Sequence, residues 1–252
     1  GASSGIGLEL AKLFAQHGYD LVIAADDDDI HAAATTLSGS GVDVQPVQVD
    51  LRNPKDVEKL YEQATAGGRH LDAAALNAGV GQGGSFVDSD LEDNLSIVDL
   101  NVRSTVHLAK LLLPEMVRRN TGKVLFTSSI ASTMAGPYQS VYHASKSFIQ
   151  SLAEALQDEL RDTAVTVTSL MPGPTDTNFF RRAELGNTLL GRMPKDDPAE
   201  VAKQGFEALM RGKRKVLAES VTTKVMGAAN KFLPDSVKAA AARVINVPVD
   251  HR

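Results

Sequence analysis

The chain has 252 residues, of which 43% are hydrophobic and 23% charged, with a formal net charge of −5 and no cysteine. This composition is that of an ordinary soluble globular protein long enough to bury a substantial core, and the lack of cysteine excludes disulfides, thiolate metal sites and cysteine nucleophiles. Because the charge is negative and no apolar stretch approaches the ~20 residues that span a bilayer, we expect a cytoplasmic protein with no nucleic-acid partner, no membrane partner and no metal site.

Helices and short strands alternate through the first part of the chain. Apolar residues recur at helical spacing after the opening loop, and the apolar run that follows is typical of a strand buried on both faces. The predicted elements are a helix over 6–17, a strand over 21–25, a helix over 26–37, a strand over 42–49 and a helix from 53 to about 66.

The same alternation continues to residue 218. The predicted elements are a strand over 71–76, one long or broken helix over 91–119, a strand over 123–127, a helix over 140–161, a strand over 165–171, a helix over 198–211 and a strand over 216–218. Strands that alternate with helices of about 10–20 residues predict an α/β fold in three layers, with a mostly parallel, doubly wound sheet between two layers of helices.

We expect residues 1–252 to form a single domain, because the chain contains no linker-like, repetitive or low-complexity segment. Residues 175–197 are rich in proline, glycine and charge, which is typical of an excursion such as a lid or a substrate loop. A helical tail over about 220–247 ends the chain, and we expect it to pack against the fold.

The opening run Gly1-Ala2-Ser3-Ser4-Gly5-Ile6-Gly7 leads directly into the first predicted helix. Its glycines let the backbone turn sharply and approach a phosphate closely, while the helix N-terminus offers free N–H groups and positive potential. Tight turns before helices are common, so the glycines alone are weak evidence. Because a helix and then a strand follow them, they indicate a dinucleotide-binding unit. The expected contacts are Gly1, Ser3, Ser4, Gly5, Ile6 and Gly7.

Four aspartates, Asp26 to Asp29, follow the strand predicted over 21–25. In a purely structural interpretation they form the negatively charged N-terminus of a solvated helix. In the functional interpretation, the acid at this strand end, Asp26, hydrogen-bonds the adenosine ribose and repels a 2′-phosphate. Four carboxylates in a row favour NAD over NADP as the cofactor.

Tyr142 and Lys146 are spaced i, i+4 in a predicted helix and therefore share one face. A free tyrosine has a pKa near ~10, and a lysine ammonium one turn away, together with an oxidised nicotinamide, would lower that pKa by stabilising the phenolate. Tyr142 could then donate a proton to a carbonyl oxygen that receives a hydride, or accept one in the reverse direction. Ser129, at the end of a predicted strand, could offer its hydroxyl to the same oxygen. By itself, a Tyr-x-x-x-Lys pair arises by chance in many helices.

Taken together, these motifs occur in an order that resembles the short-chain dehydrogenase/reductases of about this length. The opening run matches that family's glycine motif, and Ser129, Tyr142 and Lys146 match its catalytic serine, tyrosine and lysine at the usual interval. The other matches are Asp50-Leu51 to the pair beside the adenine, Asn77-Ala78-Gly79 to a turn that lines the cofactor, Asn101 to an active-site asparagine, and Pro172-Gly173 with Thr177 to the segment over the nicotinamide.

The resemblance implies a Rossmann-type fold and an NAD(P)-dependent oxidoreductase that acts on an alcohol or a carbonyl compound, with Tyr142 as general acid or base. It also implies that Asn101 and Lys146 form a proton relay through water, that Lys146 binds the nicotinamide ribose, and that Thr177 contacts the cofactor. Relatives are commonly homodimers or homotetramers built through two long helices.

Two neighbours of these residues are less favoured as catalytic residues. Ser128 is the rival of Ser129, but the interval to Tyr142 favours Ser129. His143 falls on the next helical position after Tyr142, so we expect a surface or packing role for it.

Leu76 stands where many relatives carry a further asparagine, which is a mild change, and the sequence departs from the family more strongly in two other places. The family's first strand, at the centre of its sheet (order 3-2-1-4-5-6-7), has no counterpart before Gly1. We therefore expect a slot with unpaired backbone groups on both sides and a natural start upstream of Gly1. At Asp26 many relatives carry an arginine that binds the 2′-phosphate of NADP. The acid argues against NADP, although Arg52 could compensate and keeps NADP possible.

We expect an active enzyme on a small or medium, mostly apolar alcohol or ketone, bound among the loops over 81–88, 131–138 and 175–193. One alternative is a catalytically silent dinucleotide-binding redox sensor or scaffold. Another is an isomerase or dehydratase on the same fold. A sensor has less need of the complete asparagine, serine, tyrosine and lysine set, so the complete set favours the enzyme.

Overall fold

The computed structural model describes residues 1–218 and 234–249. The strands are β1 (Leu21–Ala25), β2 (Val44–Gln48), β3 (Ala73–Leu76), β4 (Gly122–Thr127), β5 (Val165–Pro172) and β6 (Lys215–Ala218). The α-helices are α1 (Gly5–Gln16), α2 (Asp29–Ser38), α3 (Pro54–Ala64), α4 (Leu91–Ile97), α5 (Ser104–Arg119), α6 (Ser140–Glu159), α7 (Phe179–Arg182), α8 (Leu189–Arg192), α9 (Pro198–Met210) and α10 (Asp235–Asn246).

All strand pairs among these residues are parallel. β1 pairs with β2, and β3, β4, β5 and β6 follow one another in a second sheet. Parallel neighbours need crossover connections, and helices supply them here. The predicted Rossmann-like α/β fold is therefore confirmed.

Helices cover both faces of the four-stranded sheet because its central strands bury side chains on both sides. On one face, Val124 and Phe126 of β4 pack with residues of α5 and α6. On the other, Leu125 of β4 packs with residues of α1 and α9. Successive side chains of a strand point to opposite faces, so this alternation divides the core between two helical layers. The sheet therefore lies between two layers of helices, which is the predicted three-layer architecture.

A slot separates the two sheets at the position where the sequence predicts it. A cavity of about 230 Å³ lies between β1 and β3 and is lined by residues 21–24 and 73–76 of these strands. Among the described residues, β1 and β3 each pair with a single strand. The N-terminal residues follow the open edge of β1, where the amino group of Gly1 and the amide of Ala2 both donate to the carbonyl of Ala24.

The long helix predicted over 91–119 is broken by a π-helical segment, Val98–Arg103, between α4 and α5. Such π segments occur frequently at functional sites. The excursion over 175–197 contains α7 and α8, and its two ends meet where Thr175 bridges Asp196. Of the predicted tail, residues 220–233 lie outside the described residues, and α10 forms the rest. No helix within the two described ranges is long and apolar enough to cross a membrane.

Candidate active site

A cavity of about 590 Å³ lies at the carboxyl ends of β3, β4 and β5, the edge where doubly wound sheets bind their ligands. The glycine-rich loop and residues of α6, α7 and α10 all contribute to its wall. Of the residues predicted to form the site, it is lined by Gly1, Ser3, Ser4, Gly5, Ile6, Asp26, Asn77, Ala78, Gly79, Ser129, Tyr142, Lys146, Pro172, Gly173 and Thr177. Gly7, Asp50, Leu51 and Asn101 lie outside this lining.

Tyr142 lies in the first turn of α6, with its ring 5.1 Å from that of Phe179. Burial raises the pKa of Tyr142 to about 12, and a hydrogen bond with the Ser129 hydroxyl offsets only part of this rise. A buried phenol is harder to ionise because the phenolate loses its hydration. At neutral pH the Tyr142 hydroxyl therefore carries its proton.

Lys146 lies one turn further along α6 and is buried. Its ammonium donates a hydrogen bond to the Thr127 carbonyl at 2.9 Å and lies 6.0 Å from the centre of the Tyr142 ring. Burial lowers the pKa of Lys146 to about 8. In this structure burial dominates the pKa of Tyr142. The lowering predicted from the helical spacing also requires the charge of an oxidised nicotinamide, and it stays a prediction.

The two serines after β4 have different neighbours. The Ser128 hydroxyl donates to the backbone carbonyl of Lys146 at 3.1 Å and ties the strand end to α6. The Ser129 hydroxyl accepts from the Ala131 amide at 3.1 Å and hydrogen-bonds with Tyr142. The geometry thus places Ser129, rather than Ser128, beside the tyrosine hydroxyl.

Asn101 is buried within the π-helical segment behind the cavity wall. Its side chain accepts from the Val80 amide and donates to the Val80 carbonyl, each at 2.9 Å. It also donates to the Ser145 hydroxyl at 2.9 Å, and that hydroxyl donates to the Tyr142 carbonyl at 2.7 Å. Asn101 therefore joins the loop after β3 to the helix that carries Tyr142.

The glycine-rich loop forms a narrow cradle in which side chains would not fit. Gly5 has a φ of 57°, and a Cβ there would come within 2.9 Å of Thr177. A Cβ on Gly7 would overlap the carbonyl oxygen of Gly1, so Gly7 serves the packing of the loop. The α1 N-cap, Ser4, makes no side-chain capping hydrogen bond, which leaves the first N–H groups of α1 to a ligand. This geometry fits an anionic dinucleotide.

Asp26, at the end of β1, lines the other edge of the cradle and pairs with Arg52 at 3.5 Å. The same guanidinium binds Asp50 at 2.8 Å and thereby lowers the pKa of that carboxyl group. Arg52 thus lies between two carboxylates. Leu51 instead lines the slot between the sheets.

Three further residues of the cavity wall were not predicted as site residues. His143 is buried, and its Nδ1 lies 3.1 Å from the Met134 carbonyl, so the surface alternative is wrong and the packing alternative is correct.

Gln139 and Asn246 are buried and hydrogen-bonded to each other. No sequence pattern signals this contact, because the two residues are 107 positions apart and neither belongs to a motif.

The chain is similar to known proteins over most of its length. The family model described as short chain dehydrogenase matches residues 1–187. Oxidoreductase UcpA of Salmonella typhimurium is 30% identical over 210 residues, which cover 83% of this chain and 78% of UcpA.

Two solved structures share the fold. The short-chain dehydrogenase from Sphingobium yanoikuyae in complex with NADPH has a TM-score of 0.79 and 27% identity, covering 92% of this chain and 91% of that one. A short chain dehydrogenase/reductase from Burkholderia phymatum in complex with NAD has a TM-score of 0.83 and 25% identity, covering 92% and 89%.

Proposed function

Because this chain belongs to the short-chain dehydrogenases, we propose that it is an oxidoreductase that transfers a hydride between a nicotinamide dinucleotide and an alcohol or carbonyl compound. The observation that carries the proposal is that one cavity is lined by the glycine-rich loop together with Ser129, Tyr142 and Lys146. A dinucleotide cradle and a proton-transfer group therefore share a single cleft.

We assign the dinucleotide to the cradle formed by the glycine-rich loop, residues 77–79 and residues 172–177. The N-terminus of α1 stabilises the diphosphate through its free N–H groups and its positive potential. When bound, the nicotinamide supplies or accepts the hydride. The NADPH and NAD complexes of the two similar dehydrogenases support a cofactor of this class.

Tyr142 donates the proton that a carbonyl oxygen needs when it becomes an alcohol. With a pKa of about 12 the phenol is protonated at neutral pH, so the structure is prepared for the reduction direction. The Ser129 hydroxyl, which hydrogen-bonds with Tyr142, holds the same oxygen. In the oxidation direction Tyr142 accepts the alcohol proton, which requires the positive charge of Lys146 and of the oxidised cofactor to lower its pKa.

Lys146 replenishes the proton on Tyr142. Burial brings the pKa of Lys146 to about 8, close to the pH at which a group exchanges protons efficiently in both directions. Through Ser145, Asn101 holds the first turns of the helix that carries both Tyr142 and Lys146. We propose that a water held beside Asn101 and Lys146 completes the relay.

We propose NAD as the preferred cofactor and NADP as the alternative. The Asp26 carboxylate lies at the edge of the cradle and repels a 2′-phosphate. Arg52, the cation that could bind that phosphate, is paired with Asp26 and Asp50. The preference therefore depends on whether Arg52 stays with these carboxylates.

We propose a mostly apolar substrate and a homodimer or homotetramer. The cavity wall beyond the cradle includes Met134, Phe179, Phe180, Leu190, Met193 and Ile245. Exposed apolar side chains recur on α4, on the π-helical segment, on α5 and on α6, namely Leu91, Leu95, Val98, Val106 and Phe148. A second copy of the chain, packed on these helices, would bury them.

The test is the consumption of NADH and NADPH with a panel of ketones, and the reduction of NAD and NADP with the matching alcohols. Tyr142→Phe is expected to lose turnover about 10²–10⁴-fold, the usual contribution of a general acid, while nucleotide binding survives. The control is Tyr19→Phe, which removes a hydroxyl that contacts the Met210 sulfur and does not line the active-site cavity. Equal turnover by wild type and Tyr142→Phe contradicts the assignment.

A further inference from the structure

We propose that Asn246, the last residue of α10, is a positioning residue that holds the substrate wall of the active site through Gln139 and Pro137. Its side-chain oxygen accepts from Gln139 Nε2 at 2.9 Å, and its side-chain nitrogen donates to the Pro137 carbonyl at 3.1 Å. Gln139 is the residue directly before α6. The inference rests on the proposed function, because it concerns the substrate side of the same cavity.

Both amides of this pair are buried, Gln139 with 2% and Asn246 with 1% of its surface exposed. A buried amide without partners is costly, because it has given up its hydrogen bonds to water. The two side chains hydrogen-bond to each other, and the side-chain nitrogen of Asn246 also donates to the Pro137 carbonyl. The pair therefore fixes the end of α10 against the residues that precede α6.

The turn over 134–139 is held from its other side by α6 itself. The His143 ring reaches the Met134 carbonyl at 3.1 Å and packs so closely on Gly136 that a Cβ there would overlap it. Tyr138 adopts a φ of 67°, a conformation that a bulky residue keeps only when its surroundings impose it. The Gly84 amide donates to the Tyr138 carbonyl at 2.9 Å and the Arg243 guanidinium lies 5.7 Å from its ring centre, while His143 and Asn246 hold the neighbouring residues of the turn.

The turn and α10 form adjoining parts of the cavity wall. Met134, Gln139 and His143 line the cavity from the turn and α6, and α10 contributes Lys238, Ala241, Ala242, Ile245 and Asn246. The glycine-rich loop lines the same cavity, and among the described residues no hydrogen bond joins it to Gln139 or Asn246. Loosening the pair therefore changes how substrate is held and leaves the dinucleotide cradle intact.

The experiment compares wild type with Asn246→Leu, which removes both hydrogen bonds at similar volume. A second variant exchanges the amides (Gln139→Asn with Asn246→Gln) and so keeps the pair and its summed length. Ser236→Ala, an exposed position on the same helix, is the control. We measure kcat and KM for the best ketone of the panel, the Kd of the cofactor, and the melting temperature of each variant.

We expect Asn246→Leu to raise the substrate KM about tenfold or more, the effect of leaving a buried polar group unpaired. The kcat of folded enzyme and the cofactor Kd should change less than about threefold, and the exchanged pair should recover most of the loss. A merely structural role would lower the melting temperature and leave the KM of the folded enzyme unchanged, and that result overturns the proposal.

Hydrogen exchange tests the same contact without turnover, in case no substrate of the panel is used. In Asn246→Leu the amides of Gln139 and His143, which donate to Gly136 and Gln139, should exchange faster, with no change over residues 1–7. Unchanged exchange at both amides overturns the inference whatever the activity. If those amides exchange faster in Asn246→Leu but the wild-type protein turns over no substrate, the result contradicts the proposed function alone. If Asn246→Leu does not fold, Asn246→Ser takes its place in both measurements.

Discussion

The ammonium group of Lys146 donates a hydrogen bond to the backbone carbonyl of Thr127 over 2.9 Å. This contact joins α6 to the end of β4, and it leaves the ammonium 6.0 Å from the centre of the Tyr142 ring. Its cost is the burial of a cation, which lowers the pKa of Lys146 to about 8. The same residue therefore serves the proposed proton transfer and weakens the fold at neutral pH.

Lys146→Met is expected to show this cost as a pH-dependent stability difference. Between about pH 8 and pH 10.5 the unfolded chain keeps a lysine proton that the native protein has lost, so wild type gains stability as the pH rises through this range. The free energy of unfolding of Lys146→Met, relative to wild type, should therefore be about 2–3 kcal/mol more favourable at pH 7 than at pH 10. Urea unfolding at both pH values measures it, and a pH-independent difference would disprove the lowered pKa.

The two serines after β4 should separate into a catalytic and a structural residue. Ser129→Ala removes the hydroxyl beside Tyr142 and should lower kcat about 10²-fold. Ser128→Ala removes the bond to the Lys146 carbonyl and should cost about 1 kcal/mol of unfolding free energy, with a much smaller loss of kcat. Steady-state kinetics and urea unfolding of both variants measure these effects. If Ser128→Ala instead loses kcat and Ser129→Ala loses only stability, Ser128 is the catalytic serine.

Asp26→Ser should shift the cofactor preference toward NADP. The change removes a carboxylate that repels the 2′-phosphate, and it frees Arg52 from one of the two carboxylates paired with it. Because a like-charge contact costs several kcal/mol, we expect the ratio of NADP to NAD affinity to rise about 10–100-fold. Titration of both nucleotides measures the ratio. Asp29→Ser, the same change in the first turn of α2, is the control, and an equal shift in it would assign the effect to general charge.

Gly81→Ala should narrow the site. A Cβ at this position would meet the Phe179 ring at 2.6 Å and the Tyr142 ring at 3.2 Å, so both rings must move. Since a displacement of about 1 Å in a reacting group costs on the order of 10²-fold, kcat/KM should fall about 10–100-fold. Gly186→Ala has open space around its Cβ and should behave like wild type. Unchanged kinetics in Gly81→Ala would place the substrate elsewhere.

Val106→Lys should weaken the proposed oligomer. Val106 is 39% exposed on α5, among the apolar residues assigned to a second copy. In a two-fold interface each substitution acts twice, so the dimer Kd should rise at least about tenfold by burial of an unpaired ammonium. Analytical ultracentrifugation measures the mass. Val237→Lys, which replaces a valine that is 46% exposed on α10, is the control, and an unchanged mass in Val106→Lys contradicts the assignment.

Most of the fold was predictable because its signals are local. Helical and strand periodicities, together with glycine and proline positions, predicted every described strand within a few residues, and they allowed for the break in the long helix. The break itself, a π-helical segment that buries Asn101, could not be located from periodicity, because its reason is the hydrogen bonding of that side chain to Val80 and Ser145.

Most of the residues predicted for the candidate site line one cavity, but the contacts that they make were much less predictable. Spacing places Tyr142 and Lys146 on one helical face, but the lysine ammonium binds Thr127, 19 positions earlier. The preference for Ser129 over Ser128 rested on an interval, whereas the structure distinguishes them by their different hydrogen-bond partners. The role proposed for Asn246 has no signal in the sequence.

By itself, the sequence determined the alternation of strands and helices, the glycine-rich loop before the first helix, and the family. These features follow from local periodicity and from the order of short motifs. Only the tertiary structure decided the pKa of Tyr142 and of Lys146, the division of Arg52 between two carboxylates and the joining of Asn246 to Gln139. The reason is physical, since burial and long-range hydrogen bonds depend on which distant segments meet.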